Sequence, residues 1–359
     1  MKLKYKLLSL LLMQILALGG TTPVGQTKPT ASYSIPEMTL RVKSVGLDTS
    51  TDRISRIAIG PNSNFYVLDA GNNRVLIFSS AWKLVRQISE IGQGPGGLFD
   101  PYDMAVDRGG NVYVIDSKQR VQGFSAEGKF YGSFKYKGEC LAIAVNGRGE
   151  YLLSQPESGS LISVYGPNGD YRRSFGSLKT GAARNARAVA NRVHMFVTSK
   201  DDVYVSFDHL GILQKYDASG RLQWEEAIPG EQAEKLRNIF WSNATDKSKY
   251  GIVLTTSYSG VPAFFVSFSI LLDESRDRLY VPLNDGSIYV ADARGKPLQF
   301  LKQRGSTDFY NSIAVDRLGR LIVSSVWKGV FLIMPAPAGL TTPARPGITR
   351  KGEKRNGFD

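Results

Sequence analysis

Between residues 91 and 134 apolar and polar positions alternate in four short runs, 104–107, 112–115, 120–124 and 129–134. Three polar turns separate them: Arg108-Gly109-Gly110-Asn111, Asp116-Ser117-Lys118-Gln119 and Ser125-Ala126-Glu127-Gly128. A period of two marks strands, and Gly, Asn and Asp accept the left-handed backbone of tight hairpins, so the stretch predicts a four-stranded antiparallel meander. One such sheet would leave both edges unpaired and both faces wet. It needs copies beside it.

The copies are present. Second strands align at Phe65-Tyr66-Val67, Val112-Tyr113-Val114, Glu150-Tyr151-Leu152, Val203-Tyr204-Val205, Leu279-Tyr280-Val281 and Leu321-Ile322-Val323. Their intervals are those of propeller blades, apart from one long gap between Val203 and Leu279. The expected fold is all-β, a six-bladed propeller of four-stranded antiparallel blades. The string GQGPGGLFDPYDMAVDRGGNVYVIDSKQRVQGFSAEGKF, with Ala70-Gly71-Asn72-Asn73-Arg74-Val75 in the blade before it, resembles the NHL repeat. The resemblance covers about residues 53–134, returns at 311–333, and implies six blades. It implies little about activity, since propellers host binding, scaffolding and catalysis alike.

The ends read differently. Residues 1–20 carry Lys2, Lys4 and Lys6, then an apolar run from Leu7 to Leu18 and the small residues Ala17, Gly19 and Gly20, the pattern of a secretory signal. An uncleaved anchor is the alternative, and otherwise no transmembrane segment is expected. Residues 21–37 read as a Thr/Ser/Pro linker. The propeller should span 38–334, with the strand-like 38–45 supplying the outer strand of the last blade, which has only three strands of its own before Pro335. The long gap holds an insertion at about 230–262: a helix over 230–242, then strand-like 252–256 and 261–270. A degenerate seventh blade is the alternative there. Residues 335–359 are rich in Pro, Gly and charge and predict a disordered basic tail.

Formal charge is +13, but the basic residues are dispersed through turns rather than clustered with aromatics, which excludes a nucleic-acid surface. The single cysteine, Cys140, excludes an internal disulfide and reads as a buried thiol. The location expected is periplasmic or extracellular.

Functional groups of a propeller converge where the inner strands open onto the central channel. Repeat position nominates Arg53, Tyr102, Asp103, Glu139, His194, Tyr310 and Asn311 as ligand-binding candidates, with Trp241 from the insertion. Asp69 and Asp116 share a repeat position and read as turn residues that bond their own backbone. His194 and His209 are the only histidines. With Asp208 they form a weak candidate metal set, since zinc takes imidazole and carboxylate together. The expected function is a binding or interaction module for a protein, small molecule or glycan. The alternative is a hydrolase or lyase using a divalent cation (Ca or Zn). The amidating-lyase and lactonase-like propellers resemble this architecture, but the histidines of the former are too few here, and Glu139, Asn311 and Asp103 offer only the residue types of the latter.

Overall fold

A computed structural model describes residues 35–334, apart from 36, 41–42, 46, 48–49, 90, 180–189, 231–232, 235–236, 238–255, 259–260, 264–266, 304–309 and 326–330. The signal, most of the linker and the tail therefore lie outside the described residues.

Among the described residues the alternating runs are strands, and they group into six blades of four antiparallel strands, one of which carries an added strand. Their inner strands are Ile54–Ile59, Pro101–Val106, Ile143–Val145, Val193–Val197, Leu271–Asp273 and Tyr310–Val315. Each packs against the next, and the last returns to the first, so the blades form a closed ring. Second strands such as Phe65–Asp69 and Val203–Phe207 are buried along their whole length, because a neighbouring blade covers each face. Outer strands alternate: Phe130–Lys135 is half-buried and exposed by turns. The core is accordingly divided into wedges between blades. One wedge joins Leu68, Val75 and Ile77 to Met104 and Val114, and another joins Ile57, Phe65 and Val67 to Ala314 and Ile322 across the closure.

The recurrent turn glycines have a reason beyond the turn. Gly169 has φ +80°, and a Cβ there would fall 2.4 Å from Phe134 on the outer strand of the preceding blade. Gly220 meets Phe175 in the same way. Both the left-handed backbone and the close approach exclude a side chain. Turn aspartates recur for a matching reason: Asp107 accepts from the amides of Gly109 and Asn111, and Asp316 from those of Leu318 and Arg320.

The structure corrects the repeat alignment at one blade. Val145 pairs with Tyr151 just as Val106 pairs with Val112 and Ile59 with Phe65. Tyr151 thus takes the place of Val112, one residue away from the place that its likeness to Tyr113 predicts. Glu150 fills the turn position of Asn111, and the Asn146 amide donates to its carboxylate at 2.8 Å.

The N-terminal segment closes the ring in two steps. Lys43–Val45 pairs antiparallel with Phe331–Met334 as the outer strand of the sixth blade, as expected. The residues before it do not continue that strand. Glu37–Leu40 runs parallel to Pro297–Gln303 as a fifth strand on the fifth blade, with Glu37 ion-paired to Lys302 at 2.6 Å. The segment straddles two blades.

Of the insertion, Ala233, Glu234 and Arg237 are helical, and Thr256–Tyr258 pairs with Val261–Ala263 in a separate hairpin. Phe240 and Trp241 lie outside the described residues. Among the described residues no helix is long and apolar enough to cross a membrane.

Truncation tests the closure. A chain starting at Leu47 should aggregate or lose its cooperative melt, because the sixth blade then exposes an unpaired edge. A chain starting at Arg41 keeps the Lys43–Val45 strand and should lose much less. Equal melting temperatures for the two chains by circular dichroism would refute the assignment.

Candidate functional site

The first turn residue of each blade (Gly60, Asp107, Asn146, Thr198, Asp273, Asp316) fixes a common phase. Four positions before it stand Arg56, Asp103, Ala142, His194, Ser269 and Ser312. Five of these six are polar, and they form a ring at one end of the channel, where strand geometry alone would favour apolar packing.

Arg56 is the hub. Its Nε donates to Asp103 Oδ1 at 2.5 Å and its Nη1 to Ser269 Oγ at 3.2 Å, while its Nη2 lies 3.4 Å from His194 Nδ1. Asp103 is held from behind, since its Oδ2 accepts the amide of Ile143 in the next blade at 2.9 Å. Ser312 repeats that contact, accepting the amide of Ile57 at 3.0 Å. A guanidinium cannot accept, so His194 Nδ1 must be the acceptor in that contact, and the ring proton sits on Nε2. Nε2 in turn faces Asp208 Oδ1 at 3.5 Å. The other oxygen of Asp208 accepts from Arg192 Nε at 3.0 Å.

Electrostatics follow from burial. Desolvation pushes the Asp208 carboxyl up to about 7, although Arg192 and Arg56 pull it down. Desolvation, reinforced by Arg56 and Arg192, holds His194 well below the usual histidine range. Burial works against the Arg56 charge too, yet its contacts with Asp103 outweigh that and its pKa is raised. At neutral pH the cluster therefore holds a charged Arg56–Asp103 pair, a neutral imidazole and an Asp208 near its midpoint. Arg56 and Asp103 are almost closed off from water, whereas the Arg192 side chain is 40% exposed.

Behind Arg56 lies a cavity of about 410 Å³ bordered by all six inner strands. Arg56 and Ser269 border it at the cluster end, and Asp273, Glu274, Asp316 and Arg317 at the turn end. Most of the remaining lining is apolar.

The candidates taken from repeat position fare unevenly. Asp103 and His194 come together in the cluster. Arg53 lies outside it, ion-paired with Asp100 at 2.5 Å with both side chains more than half exposed. The Tyr102 hydroxyl meets that of Tyr136 at 2.8 Å. Tyr310 is fully buried in the wedge between the fifth and sixth blades. Asn311 spans blades, its amide donating to the Ile54 carbonyl and its oxygen accepting from Ser324 at 2.6 Å. Glu139 is half-buried just before Cys140, and Trp241 lies outside the described residues. Asp69 and Asp116 serve their turns, each ion-paired with the arginine that follows, Arg74 or Arg120. Arg120 also donates to the carbonyls of Gln93, Gly94 and Gly97, which fixes the glycine-rich blade connection.

Repeat position nominates neither Arg56 nor Ser269. Counting back from the turn Gly60-Pro61-Asn62-Ser63 finds Arg56, whereas Arg53 belongs to the loop before the strand. His209 is buried. Among the described residues no three His, Cys, Asp or Glu side chains converge as a metal-ligand group. Nδ1 of His194 faces Arg56 and Nε2 faces Asp208.

Comparison with known proteins agrees on the architecture. A family described as a six-bladed β-propeller matches residues 42–207. No curated protein matches. Among solved structures, the WD40 repeats of RRP9 superpose with a TM-score of 0.53 at 11% identity, covering 84% of this chain and 99% of that one. Streptogramin B lyase superposes with a TM-score of 0.53 at 8% identity, covering 83% of this chain and 98% of that one. At such identities the likeness is of fold. The chain is a β-propeller.

Two measurements probe the cluster. Asp103→Ala strands the Arg56 charge and should cost about 3–5 kcal/mol in chemical denaturation, whereas the double change Arg56→Met with Asp103→Leu should recover most of it. A double variant no more stable than the single one would show that the pair is not the unit. The second is pH dependence. His194 has a lowered folded pKa, so its contribution is fully present above the ordinary value of 6.5 and is lost as pH falls from there towards the lowered folded pKa. Asp208 acts oppositely, costing stability as pH rises from 3.8 towards about 7. His194→Gln should therefore flatten the acid limb below about pH 6.5. An unchanged acid limb would contradict the buried neutral imidazole.

Proposed function

We propose that this propeller is an exported binding module, periplasmic or extracellular, with its ligand site at the channel end where Arg56, Asp103, His194, Ser269 and Asp208 converge. The observation that carries the reading is the convergence itself: polar side chains from four blades meet in one buried network backed by a cavity. Pockets that recognise small ligands combine apolar walls with a few placed polar groups, and about 300–1,000 Å³ is their common range. The signal-like pattern of residues 1–20 supports export.

The arrangement favours binding over catalysis. His194 has neither ring nitrogen directed at open space, and Asp103 is committed to Arg56 and to a backbone amide. A general base needs a free lone pair within reach of substrate, which His194 and Asp103 lack; Asp208 Oδ1 has no hydrogen-bond partner among the described residues but is fully buried. Arg192 is the cluster's exposed cation, which suits a ligand carrying negative charge or acceptor groups.

A thermal-shift screen of small carboxylates, phosphates and short glycans tests this. Ligands that raise the melting temperature should lose most of that shift in Arg192→Gln, which should melt close to the parent protein without ligand. Hits indifferent to Arg192→Gln and His194→Gln would move the site elsewhere. A stoichiometric metal in the purified protein, removed together with a hydrolytic activity by chelation, would replace this reading with that of a cation-dependent enzyme.

A further inference from the structure

The cavity behind Arg56 has a wall that repeats with the blades. Two positions after each ring residue stand Ala58, Ala105, Ala144, Phe196, Leu271 and Ala314, all bordering the cavity. Four blades thus carry alanine where a β-branched residue would satisfy a strand better. The missing volume leaves a bore, opposed on one side by Phe196 and Leu271. From the Arg56 level to the Asp316 level is four residues, about 13 Å of strand. Between its two ends the side chains that border the bore are apolar.

The cluster end differs. A guanidinium carries five N–H donors. Three contacts occupy the Arg56 group, to Asp103, Ser269 and His194. Two of its N–H groups have no partner among the described residues, and Arg56 borders the cavity at this end. The Arg56 charge is balanced by Asp103, and Asp208 opposes Arg192 only while it is ionised, so an added anion meets a site that is neutral or positive.

We propose that the channel binds a linear aliphatic carboxylate, its head group on the free donors of Arg56 and its chain lying along the alanine ring. The inference builds on the reading of the cluster as a ligand site and gives that site a ligand class. Arg56 is then the anchoring residue and Ser269 the second polar contact. The alanines set the bore's width, and its length sets the preferred chain. The hydrocarbon contribution should be regular, with each added methylene tightening binding roughly fourfold while the bore still has room.

Isothermal titration calorimetry with octanoate, decanoate and dodecanoate, and with the matching alcohols, tests the proposal on the full chain. Affinity should rise on the order of tenfold from octanoate to decanoate, and each carboxylate should bind more tightly than its alcohol. Ala105→Leu fills the bore and should weaken decanoate at least about tenfold, since overfilling a packed space displaces whatever occupied it. If that variant fails to fold, Ala314→Leu on another blade serves. The stable double variant Arg56→Met with Asp103→Leu should erase the preference for carboxylate over alcohol. No binding by any chain, binding indifferent to Ala105→Leu and Ala314→Leu, or equal affinity for acid and alcohol in the parent protein would each overturn the proposal. A ligand sensitive to Arg192→Gln but not to bore filling would overturn it while leaving the rim site standing.

Discussion

Every blade of this ring buries its second strand between two neighbours, so an open ring would bare one wedge of core and one sheet edge together. The backbone pairing of Lys43–Val45 with Phe331–Met334 prevents that, bringing residues nearly the whole chain apart into one sheet. The same segment's pairing with the fifth blade through Glu37–Leu40 spreads the joint over two blades. With a single cysteine there is no disulfide to hold the closure. The joint rests on hydrogen bonds and packing. At the turn end other links run between blades: Ser199 with Glu274, Gly147 with Asp201, and Tyr66 with the Gly110 carbonyl.

Much of this is legible in the sequence because a propeller writes its period in turn residues. Gly and Asp recur where a backbone must turn left-handed and where a side chain would strike the neighbouring blade, as at Gly169 against Phe134. Closure is legible from a deficit, three strands at one end and a spare at the other. Single-residue register is not. Tyr151 resembles Tyr113 in its flanking residues, yet the turn Asn146–Glu150 places it one step earlier. Aromatic identity is a weaker marker of phase than turn length, because wedges accept an aromatic at several depths while a turn has one length. The division of 37–45 into two strands is equally hidden, since both halves alternate alike.

The polar cluster is half legible for a similar reason. Repeat position points at Asp103 and His194, but in the first blade it points at Arg53 in the loop before the strand, although Arg56 is the third residue of Ile54–Ile59 just as Asp103 is the third of Pro101–Val106. Only the ring as a whole gives it meaning: in one blade alone, an inward arginine is an anomaly, whereas opposite Asp103 two inner strands meet through a buried ion pair. Which blades neighbour each other can be read from repeat order, yet which side chains span the channel depends on the tilt of each strand, which carries no sequence mark.

Burying that pair rather than two hydrocarbons has a consequence for what the channel can be. Paired charges out of water stabilise little beyond what well-packed apolar residues of the same size would, and a broken pair costs far more. Stability alone therefore gives no reason for Arg56 and Asp103 where Leu and Met would fill the ring. The pair does constrain the geometry of its neighbours: it fixes the His194 tautomer, orients Ser269 and holds the inner strand of the third blade through Ile143. It also leaves donors at the end of a bore that four alanines keep open. Filling that bore with larger side chains would have been the simpler route to a stable propeller, since unfilled apolar volume weakens a core. A polar end and an alanine-lined wall in one channel are what the proposed ligand site would require, and the pair also ties the second blade to the third through Ile143.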